Sequence, residues 1–112
     1  AVIAEPDSAD QIVQTLAKSH PNKLVDILST AMGAVPLVGE YMVDALLAVF
    51  PGEAEDVVTT AVSESSEDKE NMRRIIEAAR NAGVSEEDIT TYAISAGVSK
   101  EEVAMLLKDE DQ

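Results

Sequence analysis

Apolar residues along this chain fall three and four positions apart, and no segment sustains the strict alternation of a half-buried strand. The pattern predicts an all-α protein built from short helices. Ser8-x-x-Gln11 has the form of a capping box and opens a first helix with Ile12, Val13, Leu16 and Ala17 on one face. Pro21 suits the first turn of a second helix, whose apolar residues are Leu24, Val25, Ile27, Leu28, Ala31 and Met32. Gly33 and Pro36 punctuate. A third helix then runs to about Phe50, with Leu37, Tyr41, Met42, Ala45, Leu46 and Val49 expected inward. Pro51 starts a fourth, carrying Ala54, Val57, Val58 and Ala61.

Ser63-Glu64-Ser65-Ser66 is the most loop-like stretch and the one place where the chain could subdivide. Ser65-x-x-Asp68 is expected to cap a fifth helix with an apolar stripe of Met72, Ile75, Ile76 and Ala79. Glu70 with Arg74, and Arg73 with Glu77, are spaced for ion pairs on its polar side. Gly83 ends this helix, Ser85-x-x-Asp88 opens a sixth, Gly97 closes it, and Ser99-x-x-Glu102 opens a seventh.

The helices are related to one another. Ala82 to Ile89 recurs as Ala96 to Val103 fourteen residues on, and Pro21 to Met32 aligns without gaps on Pro51 to Val62 at an offset of 30. Asp56 to Ala61 is echoed at offset 32 by Asp88 to Ala93. A unit of 14–16 residues holds one short helix and a turn, too little to bury its own apolar face, so neighbouring units must stack. The expected fold is therefore six or seven short helices packed as stacked helical hairpins, either α-solenoid-like or a compact orthogonal bundle. It forms a single domain over residues 1–112, with 109–112 as a frayed acidic tail. The form resembles α-solenoid repeats in general, but the units are shorter than tetratricopeptide or HEAT repeats and lack their marker residues.

One stretch imitates a membrane span: Ala31 to Phe50 is long enough, yet Glu40, Asp44, Gly33, Pro36 and Gly39 interrupt it. It is expected to be core, with no membrane insertion. Ala1 at the first position, followed by Val2-Ile3-Ala4-Glu5-Pro6, is the kind of end that signal-peptide cleavage leaves. Periplasmic or secreted localisation is the expectation on that ground, with a cytoplasmic protein as the alternative.

Composition narrows the chemistry. The chain has 112 residues, 22 Asp and Glu against 8 Lys and Arg, a net charge of −14 and no Cys or Trp. A disulfide scaffold, a Cys-ligated metal site and a thiol nucleophile are excluded. Binding to a phosphate backbone is disfavoured because it requires clustered bases, so no nucleic-acid partner is expected. His20 is the only imidazole, and its alignment with Phe50 at offset 30 predicts packing at a helix end rather than catalysis. The four Met read as core filling, and Thr59-Thr60 and Thr90-Thr91 as packing residues at helix contacts.

Glu86, Glu87, Asp88, Glu101 and Glu102 are the candidate interaction surface. Their place in helix first turns is explained by the helix dipole, and no calcium loop or zinc helix accompanies them. No cofactor, metal ligand set or catalytic residue is expected. The function these features suggest is a non-catalytic interaction or structural module with a protein partner of the basic kind that an acidic surface suits. The alternatives are an intracellular acidic regulator of a basic protein, or a small-ligand carrier whose polar candidates are His20, Tyr41 and Tyr92.

Overall fold

The computed structural model describes residues 9–110, with side chains as far as Lys108. Seven α-helices follow one another: α1 Ala9–Ser19, α2 Leu24–Ala34, α3 Gly39–Val49, α4 Ala54–Glu64, α5 Lys69–Asn81, α6 Glu86–Ser95 and α7 Lys100–Glu110. The all-α architecture expected from the periodicity is the one observed. Helical backbone continues through Asp109 and Glu110, and the remainder of the expected acidic tail lies outside the described residues. Ser8, the expected cap of α1, lies outside them too.

Pro21, Pro36 and Pro51 stand fifteen residues apart, and each opens a single 3-10 turn that leads into an eleven-residue helix. The residue before each proline is driven out of helical geometry by the pyrrolidine ring. Accordingly His20, Val35 and Phe50 share nearly one conformation, with φ/ψ of −136/68, −137/71 and −123/61. Each closes the preceding helix by donating its N–H to a carbonyl four back (Leu16, Ala31 and Leu46) and accepts the bond of the next turn from Lys23, Val38 and Glu53. Proline thus stops one helix and starts the next at a fixed interval. Pro6 stands at the same interval before Pro21, and α1 has the same eleven residues as its successors. The true unit in this half is fifteen residues. The offset of 30 spans two of them.

In the second half the device changes from proline to glycine. Gly83 and Gly97 both have φ of 107°, a conformation costly for any residue with a Cβ. Each completes a Schellman cap: Val84 N–H bonds to Ala79 O, and Val98 N–H to Ala93 O. The serine after each cap then receives the amide two or three residues into the next helix, Asp88 N–H on Ser85 Oγ and Glu102 N–H on Ser99 Oγ, both at 3.1 Å. These caps are as expected. The cap of α5 is not: Asp68 accepts from Asn71 N–H at 3.1 Å, whereas Ser65 is buried and donates its hydroxyl back to Ala61 O and Val62 O. With α4 extending to Glu64, Ser65 serves the end of that helix, and the start signal belongs to the next oxygen-bearing residue beyond the turn.

Alternate helices stack. α1, α3, α5 and α7 form one row and α2, α4 and α6 the other, with the rows packed against each other mainly through consecutive helices. Four helices at about 10 Å spacing give roughly 40 Å, which agrees with the 42 × 26 × 22 Å extents of the chain. One continuous cluster of buried residues runs the length of the stack from Val13 to Leu107. Ser29 Oγ donates to Glu64 across the second row at 2.6 Å, and Gln14 reaches Ala45 O across the first at 2.9 Å.

Several residues expected inward are on the surface. Ile12, Leu16, Val25, Leu37 and Tyr41 are exposed, while Val43, Leu47 and Val62 take core places the periodicity did not single out. α3 is apolar around most of its circumference, so the pattern alone cannot fix which face turns inward; its stacking between α1 and α5 does. His20, at the end of the first helix of its row, is exposed, whereas Val35 and Phe50 are half-buried at the same position of their units. Of the four Met, three are core and Met105 is exposed. The apolar stretch Ala31 to Phe50 is divided by the Pro36–Val38 turn, and no helix among the described residues is long and apolar enough to cross a membrane.

Candidate functional site

The expected acidic surface is divided by the structure. Glu86 is held by Arg80 at 2.7 Å, tying the start of α6 to the end of α5. Glu102 is half-buried and pairs with Lys69 between α7 and α5. Glu87 and Glu101 are exposed, and Glu86 and Glu87 share a groove between α6 and α7 with Lys100 and Lys108. The first-turn acids are therefore partly neutralised, and the α6–α7 groove has mixed charge. Asp88 turns away from this groove. Among the described residues no group of three or more His, Cys, Asp or Glu could hold a metal ion.

Asp88 lines a different cleft, of about 400 Å³, where the start of α4 meets the α5–α6 junction. α4 stacks on α6 in the second row, which brings Glu55 of α4 to the same opening as Asp88 and Tyr92 of α6. Leu47 and Ala54 form part of its apolar wall. Two glycines stand on its rim: Gly52, where a Cβ would meet only open space, and Gly83, whose positive φ belongs to the α5 cap. No basic side chain pairs with Glu55 or Asp88 among the described residues. The cleft is where unpaired acids and an aromatic ring converge.

Tyr92 is half-buried here, and its phenol is pushed above the usual value of 10.0, first by burial and then by the Asp88 and Glu55 carboxylates. Both causes disfavour the phenolate: burial removes its hydration, and neighbouring negative charge repels it. A raised folded-state value contributes stability that is present below the unfolded value and lost as pH rises through the folded one. Absorbance titration of the Tyr41→Phe variant should therefore place Tyr92 ionisation above 10.0. Neutralising the acids with Glu55→Gln and Asp88→Asn should move it back toward that value. A Tyr92 that ionises at its ordinary value, or is unmoved by the two substitutions, would contradict this geometry.

Sequence reasoning placed Tyr92 among three polar candidates and Asp88 among five acids, but did not join them to Glu55. The joining signal was the offset of 32 that aligns Asp56 with Asp88 and makes α4 and α6 row neighbours. Tyr41 lies in a separate depression with Glu40, Asp44 and Arg74, and His20 lines neither site. The threonines also separate. Thr59 and Thr60 are half-buried, Thr90 and Thr91 donate to the Glu86 and Glu87 carbonyls, and Thr91 is exposed rather than packed.

No protein-family model matches the chain, and neither a curated protein nor a solved structure matches it.

Proposed function

We propose that this protein is a non-catalytic helical interaction module that binds a basic segment of a protein partner at the Glu55–Asp88–Tyr92 cleft. The observation that carries this reading is the convergence on a half-buried phenol of two carboxylates that have no basic partner among the described residues. A lysine or arginine side chain entering the cleft finds two anionic acceptors and an aromatic face, the combination that attracts a cation by charge and by the ring quadrupole. The surrounding charge of −14 draws such a segment in from a distance.

A chain this acidic attracts any polycation, so the test must separate the cleft from the bulk charge. The probe is a fluorescent hexa-arginine peptide, followed by anisotropy at low and high salt. The double variant Glu55→Gln/Asp88→Asn should weaken binding about tenfold, equivalent to about 1.4 kcal/mol. Glu67→Gln/Glu101→Gln removes the same charge from exposed positions outside the cleft and should weaken it less than about twofold, as expected for screened surface charges. Equal losses in the two variants would reduce the interaction to net charge and sink the cleft. Peptide-independent binding of small aromatic cations with the same variant pattern would favour a small-ligand carrier instead.

A further inference from the structure

The fifteen-residue register identifies which face of each helix meets which neighbour. In α3, which has a row neighbour on both sides, two pairs are fully buried: Met42 with Leu46, and Val43 with Leu47 (the last 5% exposed). α1 has a row neighbour on one side only. It buries Val13 and Ala17, the equivalents of Val43 and Leu47, and leaves Ile12 and Leu16 exposed at 57% and 44%. Hence the Met42/Leu46 pair faces the preceding helix of a row, and the Val43/Leu47 pair the following one. α2, first of the other row, obeys the same rule: Leu28 and Met32 are buried, Ile27 and Ala31 only half-buried.

The opposite end of the stack obeys it in mirror fashion. α6 buries Ile89 and Ala93 toward α4 and leaves Thr90 half-buried and Ile94 exposed; α7 buries Val103 and Leu107 and exposes Ala104 and Lys108. Apart from Ile94, the residues of that face are small or polar, as suits a terminal unit of a solenoid. The α1–α2 end presents Ile12, Leu16 and Ile27, with no helix against them among the described residues.

We infer that a second copy of this chain docks on that face, joining the two stacks end to end through α1 and α2. Charge selects the copy over a basic partner. Residues 1–38 carry four acids and two bases, whereas residues 39–112 carry eighteen acids and six bases. Two strongly anionic molecules can approach through this weakly charged end with the least repulsion, and such a face offers little to a cation. The end of the stack measures about 26 × 22 Å. Pairing would bury roughly 1,000 Å² in total, at the lower edge of specific interfaces, so the dimer is weak. A twofold contact closes after two copies and forms no filament.

Sedimentation velocity of the full chain between about 10 µM and 1 mM brackets the affinity of so small an interface. The weight-average mass should rise from 11.9 kDa toward twice that value, and added salt should favour the rise. Ile12→Glu and Leu16→Glu should hold the chain at 11.9 kDa throughout, with unchanged circular dichroism because both positions are exposed. Met105→Glu, also exposed but at the α6–α7 end, should leave dimerisation intact. A wild-type chain that stays monomeric overturns the inference, as does a dimer that Met105→Glu dissolves and Leu16→Glu does not. If dimers form only after deletion of residues 1–8, that leading segment is the occupant of the face and the second copy is not.

Discussion

Leu46→Ala should lower the free energy of unfolding by about 2–5 kcal/mol, while Leu16→Ala should lower it by less than about 1 kcal/mol. The two leucines hold the same position in units thirty residues apart. Leu46 has no exposed surface, whereas Leu16 is 44% exposed at the open end of the row. Truncating Leu46 removes buried methyls and leaves a cavity between stacked helices that cannot close without moving them both. Truncating Leu16 removes little that is out of water, and alanine's helix propensity offsets part of the rest. Urea denaturation at a concentration where the chain is monomeric measures both, and a common m-value ensures that the midpoints report stability. Similar losses at the two positions would mean that the register argument, and with it the open face, is mistaken.

Much of the fold was legible because each helix of this chain carries its own punctuation. Prolines at 21, 36 and 51, glycines at 83 and 97, and serines at 85 and 99 set helix boundaries through local sterics and local hydrogen bonds, which sequence spacing reports directly. What escaped was rotation. Leu37, Tyr41 and Val25 are apolar or aromatic, lie at plausible spacing, and are nonetheless outside. In a stack of short apolar helices the buried face is chosen by neighbours two units away, and no single helix's pattern contains that choice. The register of fifteen would have supplied it, because the residues shared by all units at the Val13, Leu28, Val43 and Val58 position are buried in every one.

The candidate site was less legible for the same reason. Its acids look like every other first-turn acid in the sequence, and most of those serve helix ends or pair locally, as Glu86 does with Arg80. On α5, Glu70 takes Arg73 at 2.6 Å as well as Arg74 at 3.6 Å, and the Arg73 hydrogen bond leads the causes that hold its carboxyl below the usual 4.5. Glu55 and Asp88 differ in facing one ring across the cleft. That distinction arises between α4 and α6, in the stacking of a row.

Asn71→Asp, a change of one amide to a carboxylate, should be among the most damaging isosteric substitutions in the chain. Asn71 is 2% exposed at the start of α5, and its side-chain amide donates to Pro36 O at 2.8 Å, linking α5 to the turn between α2 and α3. Its own Oδ1 is buried without a partner among the described residues. An aspartate there replaces the donor with an oxygen facing the Pro36 carbonyl and adds a buried, unpaired charge. The α5 dipole returns at most about 1 kcal/mol of this, against a cost of several. The expected loss at pH 7 is about 3–5 kcal/mol. Burial raises the folded-state pKa of the new carboxyl above its unfolded value. The protonated form is therefore favoured by folding, and the variant loses stability as pH rises through the folded value. Toward pH 4 a protonated carboxyl regains a donor for Pro36 O, so the gap between variant and wild type should narrow. Comparing the two proteins by urea denaturation at each pH cancels the titration of the other acids. A gap that does not depend on pH, or that stays below about 1 kcal/mol, would show that the Asn71 contact contributes little to holding α5 against the turn between α2 and α3.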